Sequence, residues 1–369
     1  INTQRMWCAN LQQITQALPT LAEEKPVLVD WLPWNHTFGS NHNVGIALMH
    51  GGTFYIDDGK PTAGGIAETL RNLREIAPTV YFNVPTGFEM IAAAMQTDAQ
   101  LRSTLLSRVR LFYYAGAGLA QPVWDSLHAT QEATIGERIV MASGLGMTES
   151  APAALFTNHA DVRSGHIGVP APGITLKLVE TDGKTEVRYR GPNITPGYWR
   201  SDAATRDVFD EEGYLCTGDA VKWIDENDIH RGLAFDGRIA EDFKLATGTF
   251  VSVGPMRAKI TAACAPYVQD AVITGLNRKE VGALLFLTPA GKEAGNVRAE
   301  LAAALARLAS EATGSANRVA RALVMDEPPS LDKGEITDKG SINQRAVLKH
   351  REALVTALYD DAMPGLIKP

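Results

Sequence analysis

The sequence predicts an α/β chain in three parts: alternating strands and helices, then a β-rich module, then a small α+β unit. Three observations carry this. Between Val27 and about Phe156, short apolar runs alternate with helix-like stretches at the spacing of strand–helix–strand units with parallel pairing. From Gly173 to Ile229 the texture changes to strand signals broken by turns, which reads as an antiparallel or barrel-like module. After Asp236-Gly-Arg, further apolar strands and an Ala/Leu-rich helix begin again. The expected boundaries are therefore 1–172, 173–238 and 239–369.

The elements follow in chain order. Asn2 to Leu18 is polar and helix-like. Lys25-Pro-Val-Leu-Val-Asp, Pro78-Thr-Val-Tyr-Phe-Asn and Val109-Arg-Leu-Phe-Tyr-Tyr are the strand candidates of the first part, with helices at Ile66 to Ile76 and Ala99 to Leu106 between them. Ile174-Thr-Leu-Lys-Leu-Val and Glu186-Val-Arg-Tyr-Arg flank the turn Thr181-Asp-Gly-Lys. Ala271-Val-Ile-Thr and Ala283-Leu-Leu-Phe-Leu are strands of the last unit, and Val297 to Ala312 is its helix.

Composition narrows the function classes. With 369 residues, the chain has room for two or three domains and a core that needs no staples. Cys8, Cys216 and Cys264 are odd in number and lack metal-ligand spacing, so reduced thiols in a cytoplasmic setting are expected. The longest apolar stretch, Val281 to Leu287, is far short of the ~20 residues that cross a bilayer. A net charge of -7 leaves no basic face for nucleic acid, which makes small-molecule chemistry the default.

Five clusters carry candidate chemistry. Tyr114-Ala-Gly-Ala-Gly-Leu follows an apolar strand, and small residues there let a flat ring approach the backbone; an ordinary strand-to-helix turn reads the same way. Ser143-Gly-Leu-Gly-Met-Thr-Glu-Ser offers a hydroxyl for a phosphate oxygen and a carboxylate for Mg²⁺, against a plain turn and helix cap. Tyr214-Leu-Cys-Thr-Gly-Asp sets Asp219 at an expected strand end, able to accept two ribose hydroxyls or to cap a turn. Phe235-Asp-Gly-Arg places Arg238 after a tight turn, ahead of Glu241-Asp-Phe-Lys-Leu-Ala-Thr-Gly; alone, such an Arg reads as a surface ion pair. Gly334-Glu-Ile-Thr-Asp-Lys-Gly-Ser-Ile-Asn-Gln-Arg holds Lys339 between glycines, where solvation is the plain alternative.

Taken in order, these clusters resemble the motifs of the adenylate-forming superfamily of acyl- and aryl-CoA synthetases. Asp30-Trp-Leu-Pro-Trp-Asn-His-Thr-Phe-Gly is similar to the family's strand-end motif with its acid-pocket His. Glu186-Val-Arg-Tyr-Arg-Gly-Pro-Asn-Ile-Thr-Pro-Gly-Tyr-Trp resembles its Gly-Glu-Leu…Gly…Gly-Tyr segment. The C-terminal run from Glu335 is most like the feruloyl-CoA synthetase branch, which activates hydroxycinnamic acids.

The resemblance implies the remainder of a large adenylate-forming N-terminal domain, an α/β subdomain plus a β-barrel-like module, followed by a small mobile C-terminal α+β domain. It implies ATP, Mg²⁺ and coenzyme A acting with a small carboxylic acid, and a homodimer is compatible with it. Lys339, Thr148 and Glu149 would be catalytic, with Glu149 also holding the metal. Gly116, Ala117, Gly118, Gly144, Leu145, Gly146, Asp219 and Arg238 would bind nucleotide. His36 and Phe38 would line the acid pocket, and Ala240 and Gly248 would serve the hinge and coenzyme A. The chain departs from the pattern at Leu145, where the family has an aromatic against adenine, and at Ala240, where the hinge carries Asp or Lys.

The family's Ser/Thr/Gly-rich phosphate loop ending in Pro-Lys is absent from these residues. In the family it precedes a segment resembling Ile1-Asn-Thr-Gln-Arg, so the chain is expected to be a fragment that starts after it and is inactive alone. Two rival functions are a medium- or long-chain acyl-CoA or carrier-protein ligase, and a non-catalytic binding module.

Overall fold

The computed structural model describes every residue except Ala63, Asn158, Thr313 and residues 338–340. It divides into two compact units, Ile1–Phe235 and Asp236–Pro369. Both are α/β, the first large and the second small. Arg238 thus falls in the second unit, just past the division.

The first unit opens with helix Gln4–Ala17, whose N-terminus is capped by the Thr3 hydroxyl accepting from the Met6 amide at 3.2 Å. Strands β1 (Val27–Asp30) and β2 (Thr53–Ile56) form a parallel pair. Then β3 (Val80–Asn83), β4 (Leu111–Tyr114) and β5 (Val140–Gly146) run parallel to one another. β1 lies alongside β3: the Thr79 amide donates to Val27 O at 3.0 Å where the two strands start, and Trp31 Nε1 donates to Asn83 Oδ1 at 3.1 Å where they end. Starts meet starts and ends meet ends, so the parallel order is β2-β1-β3-β4-β5, and the order reverses between β1 and β3.

All four residues of β3 and of β4 are buried, as expected of parallel strands covered on both faces. Period-two alternation sorts them. Val80, Phe82, Leu111 and Tyr113 enter one core cluster with Leu11, Ile14 and Phe38. Tyr81, Phe112 and Tyr114 enter the other, with Phe88, Leu105, Trp124 and Leu127 from the helices on the opposite face.

Beyond β5 the sheet turns antiparallel. β6 (Ala153–Phe156), β7 (His166–Pro170), β8 (Thr175–Thr181), β9 (Lys184–Arg190), β10 (Leu215–Trp223) and β11 (Leu233–Arg238) complete a nine-stranded order β3-β4-β5-β6-β7-β11-β10-β9-β8. The Asp236-Gly-Arg segment, read from sequence as a tight turn, ends strand β11, with Gly237 at φ +98° supplying the bend.

In the second unit, β12 (Phe243–Lys244) and β13 (Phe250–Val251) make a short hairpin, and β14 (Val268–Thr274), β15 (Val281–Leu287) and β16 (Val319–Val324) a three-stranded sheet. β15 pairs antiparallel with β14 and parallel with β16. One sheet face packs Ile273, Ala283 and Leu285 against Met256 and Ile260 of helix Val253–Ala263 and Leu301 and Leu305 of helix Val297–Ser310. The other packs Val272, Leu284 and Leu323 against Val347 of helix Gln344–His350.

Candidate active site

In open parallel sheets, ligands sit outside the carboxyl ends of the strands where the strand order reverses. That edge in the first unit gathers most of the residues singled out from sequence. Gly116, Ala117 and Gly118 follow β4 and are all exposed, and a Cβ at Gly118 would meet nothing. Tyr114 of β4 stands opposite Ser143 of β5, so this turn lies beside Gly144, Leu145 and Gly146. A Cβ at Gly144 would strike the Leu155 carbonyl and the Tyr113 hydroxyl, and one at Gly146 the Pro152 carbonyl, so the close pairing of β5 with β6 requires both glycines.

Thr148 and Glu149 follow in a single 3₁₀ turn. Ser150 anchors that turn from within: its hydroxyl accepts from the Met147 amide at 3.0 Å and donates to Pro152 O at 2.5 Å. Asn193 Nδ2 donates to Ser150 O at 2.6 Å, and the Thr195 amide to Glu149 O at 2.8 Å. The Glu149 carboxylate accepts from the Tyr198 hydroxyl at 2.7 Å, and burial together with that carboxylate pushes the Tyr198 phenol up to about 12. Thr148 stays exposed. Asn2 Nδ2 donates to Thr148 O at 3.1 Å and its Oδ1 accepts from Asn41 Nδ2 at 2.9 Å, beside a cleft of about 300 Å³ lined by Thr3, Trp7, Ser40 and Val44.

Mg²⁺ takes one or two protein carboxylates and completes its shell with phosphates and water. A half-exposed Glu149 held on one oxygen suits that role. Among the described residues no group of three His, Cys, Asp or Glu could hold a metal by itself.

His36 is half-buried after β1, where its Nδ1 accepts from the Phe38 amide at 3.1 Å. Phe38 is in the core, its ring 5.3 Å from His42 and 6.3 Å from Tyr113.

Asp219 does not stand at a strand end. It lies within β10 at a bulge between Cys216 and Ala220, where Gly218 has φ +67°. The residue is 4% exposed, and its charge helps to raise the neighbouring Tyr189 phenol, after burial. Asp219 and Arg238 belong to different units.

In the second unit, Arg238 is exposed and the Ala240 carbonyl accepts from Arg345 Nη2 at 2.7 Å. Gly248, at φ +82°, lies in the turn between β12 and β13 with open space around it. Lys339 lies outside the described residues. Its flanks are anchored: Ile336 bridges Ile342, and Glu335, 1% exposed, is gripped through both oxygens by Arg351.

Sequence reasoning missed Tyr198 and Asn2. The Gly197-Tyr-Trp run contained the signal for Tyr198, but only folding sets its hydroxyl on Glu149.

The comparisons with known proteins agree with this layout. Relatives include long-chain-fatty-acid–CoA ligase 6 of Mus musculus, 26% identical over 265 residues, covering 61% of this chain and 37% of the relative. Another is probable 4-coumarate–CoA ligase 3 of Dictyostelium discoideum, 28% identical over 185 residues, covering 48% of this chain and 32% of the relative. The chain thus spans about a third of these relatives. Among solved structures, the anthranilate CoA ligase AuaEII in complex with anthranoyl-AMP superposes with a TM-score of 0.75 at 22% identity, covering 97% of this chain and 65% of that one. ATP-bound MatB from Rhodopseudomonas palustris gives 0.73 at 20%, covering 96% and 65%. At such identities the likeness is one of fold. Family models match residues 1–199 as an AMP-binding enzyme and residues 242–363 as an AMP-binding enzyme C-terminal domain, so the chain belongs to the AMP-binding enzyme family.

Proposed function

We propose that this chain is part of an AMP-forming ligase that activates an aryl, hydroxycinnamic-type carboxylic acid with ATP and passes the acyl group to coenzyme A. The carrying observation is the exposed Thr148–Glu149 turn, fixed from several sides at the same strand-end edge as the glycines of β4 and β5.

A carboxylate is a poor electrophile. Its attack on the α-phosphorus of ATP expels pyrophosphate and gives an acyl-adenylate; a coenzyme A thiolate then attacks the acyl carbon and expels AMP. In this reading Thr148 donates to an α-phosphate oxygen, and Glu149 would hold a Mg²⁺ that would supply positive charge to offset the phosphates. Tyr198 fixes the Glu149 carboxylate. Gly116, Ala117 and Gly118 give the adenine a flat approach, with Leu145 as the apolar contact. Asp219 and Arg238 are assigned to the ribose, Lys339 to the charge that develops on adenylation, His36 and Phe38 to the acid pocket, and Ala240 and Gly248 to the hinge and the thiol.

Non-reacting acyl-sulfamoyl adenosines mimic the adenylate and need no phosphate loop. Calorimetric titration should show the cinnamoyl compound binding this chain more tightly than the decanoyl compound. The reverse order favours an acyl-chain ligase, and no binding of either favours a non-catalytic module.

A further inference from the structure

Residues 159–165, between β6 and β7, touch the candidate nucleotide turn at two points that the reading above does not use. Ser164 Oγ donates to Leu119 O at 2.5 Å, and the Ser164 amide donates to Gln121 Oε1 at 3.0 Å. Leu119 ends the turn that follows β4, and Gln121 opens helix Gln121–Ile135. One serine thus holds the far end of the turn through both its hydroxyl and its backbone. The near end is held separately, where the Ala115 amide donates to Asn83 O at 3.3 Å.

The segment that carries Ser164 is itself fastened on either side. Upstream, His159 Nδ1 lies 2.6 Å from Asp161 Oδ1, Asp161 Oδ2 accepts from Arg231 Nη2 at 2.5 Å, and Val162 packs on the core cluster that holds Leu119. Downstream, Gly165 O accepts from the Phe235 amide of β11 at 2.9 Å. The hydroxyl is therefore presented from a seated frame. Leu119 is 1% exposed, so water is poorly placed to replace that hydroxyl on its carbonyl.

Between the two held ends stand Gly116, Ala117 and Gly118, all exposed, with Gly116 at φ +91°. Two glycines in three residues give this stretch wide backbone freedom, and a ring that lies flat against it must freeze that freedom on binding. Fixing the Leu119 carbonyl removes part of the cost before the ligand arrives. We propose that Ser164 is a positioning residue: by holding Leu119 it preforms the 116–118 turn as the flat wall for the adenine of ATP and of the acyl-adenylate. This rests on the assignment of that turn to the nucleotide and names the residue that sets it.

The test titrates the 369-residue chain by calorimetry with cinnamoyl-sulfamoyl adenosine and with the matching sulfamoyl ribose that lacks the base. The ratio of the two affinities reads what the adenine contributes. Ser164→Ala should lower that ratio about three- to tenfold, the worth of one hydrogen bond, by weakening the adenosine compound alone. Ser164→Thr, which keeps the hydroxyl, should restore it. A serine that only keeps its loop folded would weaken both compounds alike, and that result overturns the proposal. An unchanged ratio in Ser164→Ala also overturns it and leaves the nucleotide assignment standing. If Ser164→Ala does not fold, Gln121→Leu, which removes the acceptor of the Ser164 amide, should lower the ratio in its place, and an unchanged ratio there overturns the proposal. Equal binding of the two compounds to the unaltered chain, or binding of neither, overturns the nucleotide assignment together with the proposal.

Discussion

At Asp30 and His42, burial acts on two groups of opposite charge type, and the consequences for stability oppose each other. Burial raises the Asp30 carboxyl to about 7 and lowers the His42 imidazole to about 4. For Asp30 the folded state holds a proton that the unfolded state has released, so its contribution is full below pH ~4 and is lost as pH rises through 7. For His42 the folded state stays neutral while the unfolded state protonates, so its contribution is full above pH ~6.5 and is lost as pH falls to 4. Each shift is worth up to about 3–4 kcal/mol, and the slopes nearly cancel between pH ~4 and 6.5. Asp30→Asn should uncover the His42 slope, with the urea midpoint of the first unit rising by several tenths molar from pH 4.5 to 6.5. His42→Leu should give the opposite trend. Unchanged profiles in both variants would show that neither group is neutral in the folded protein.

At the scale of elements, the two ends of the candidate machinery are fixed differently. The Thr148–Glu149 turn is held by backbone and neutral hydrogen bonds, whereas the segment leading to Lys339 is held by the buried Glu335–Arg351 pair, whose side chains are 2% and 9% exposed. Arg351 holds the Glu335 carboxyl below the usual carboxylate range. Removing one partner strands the other in a poorly hydrated place, at a cost of about 3 kcal/mol or more. Arg351→Ala should therefore lower the denaturation midpoint of the second unit and leave that of the first where it was. A shift under about 0.5 kcal/mol would show that water replaces the arginine.

Of the five parallel strands, β1, β3 and β4 were legible from sequence, because runs such as Val80-Tyr-Phe are apolar on successive residues, as a strand buried on both faces must be, whereas β2 and β5 were not. Two local readings also failed. Asp236-Gly-Arg reads as a turn and closes a strand, and Asp219 reads as a strand end and lies inside one at a bulge. Both contain a glycine that sequence alone assigns to a turn. Only the pairing of β11 with β7 and of β10 with β9 shows the chain running on.

At the scale of the whole molecule, the proposed ligase chemistry needs donors for the β- and γ-phosphates of ATP, and these 369 residues hold no Ser/Thr/Gly-rich loop ending in Pro-Lys to supply them. Backbone donors for the β- and γ-phosphates are part of how such charge is stabilised. Pyrophosphate release by the purified chain with ATP, Mg²⁺ and a hydroxycinnamic acid should stay at background. Fusing the loop-bearing segment of a relative ahead of Ile1 should restore it. In that active form, Lys339→Ala should slow adenylation at least a hundredfold while sparing thioester formation from supplied acyl-adenylate. Release by the chain alone, or equal loss in both half-reactions, would remove these roles.

The sequence by itself determined the α/β class, the positions of β1, β3 and β4 in the parallel part, and the motif clusters that mark the family. Apolar periodicity and the residue types that chemistry demands are local properties, written in consecutive letters. Only the tertiary structure decided that Tyr198 fixes Glu149, that Arg351 grips Glu335, and that Asp30 and His42 are enclosed in the core. Those facts depend on which residues far apart in the chain are enclosed together. Burial, which decides both the protonation of a side chain and whether its hydrogen bonds are met, belongs to the packed interior and to no single stretch of sequence.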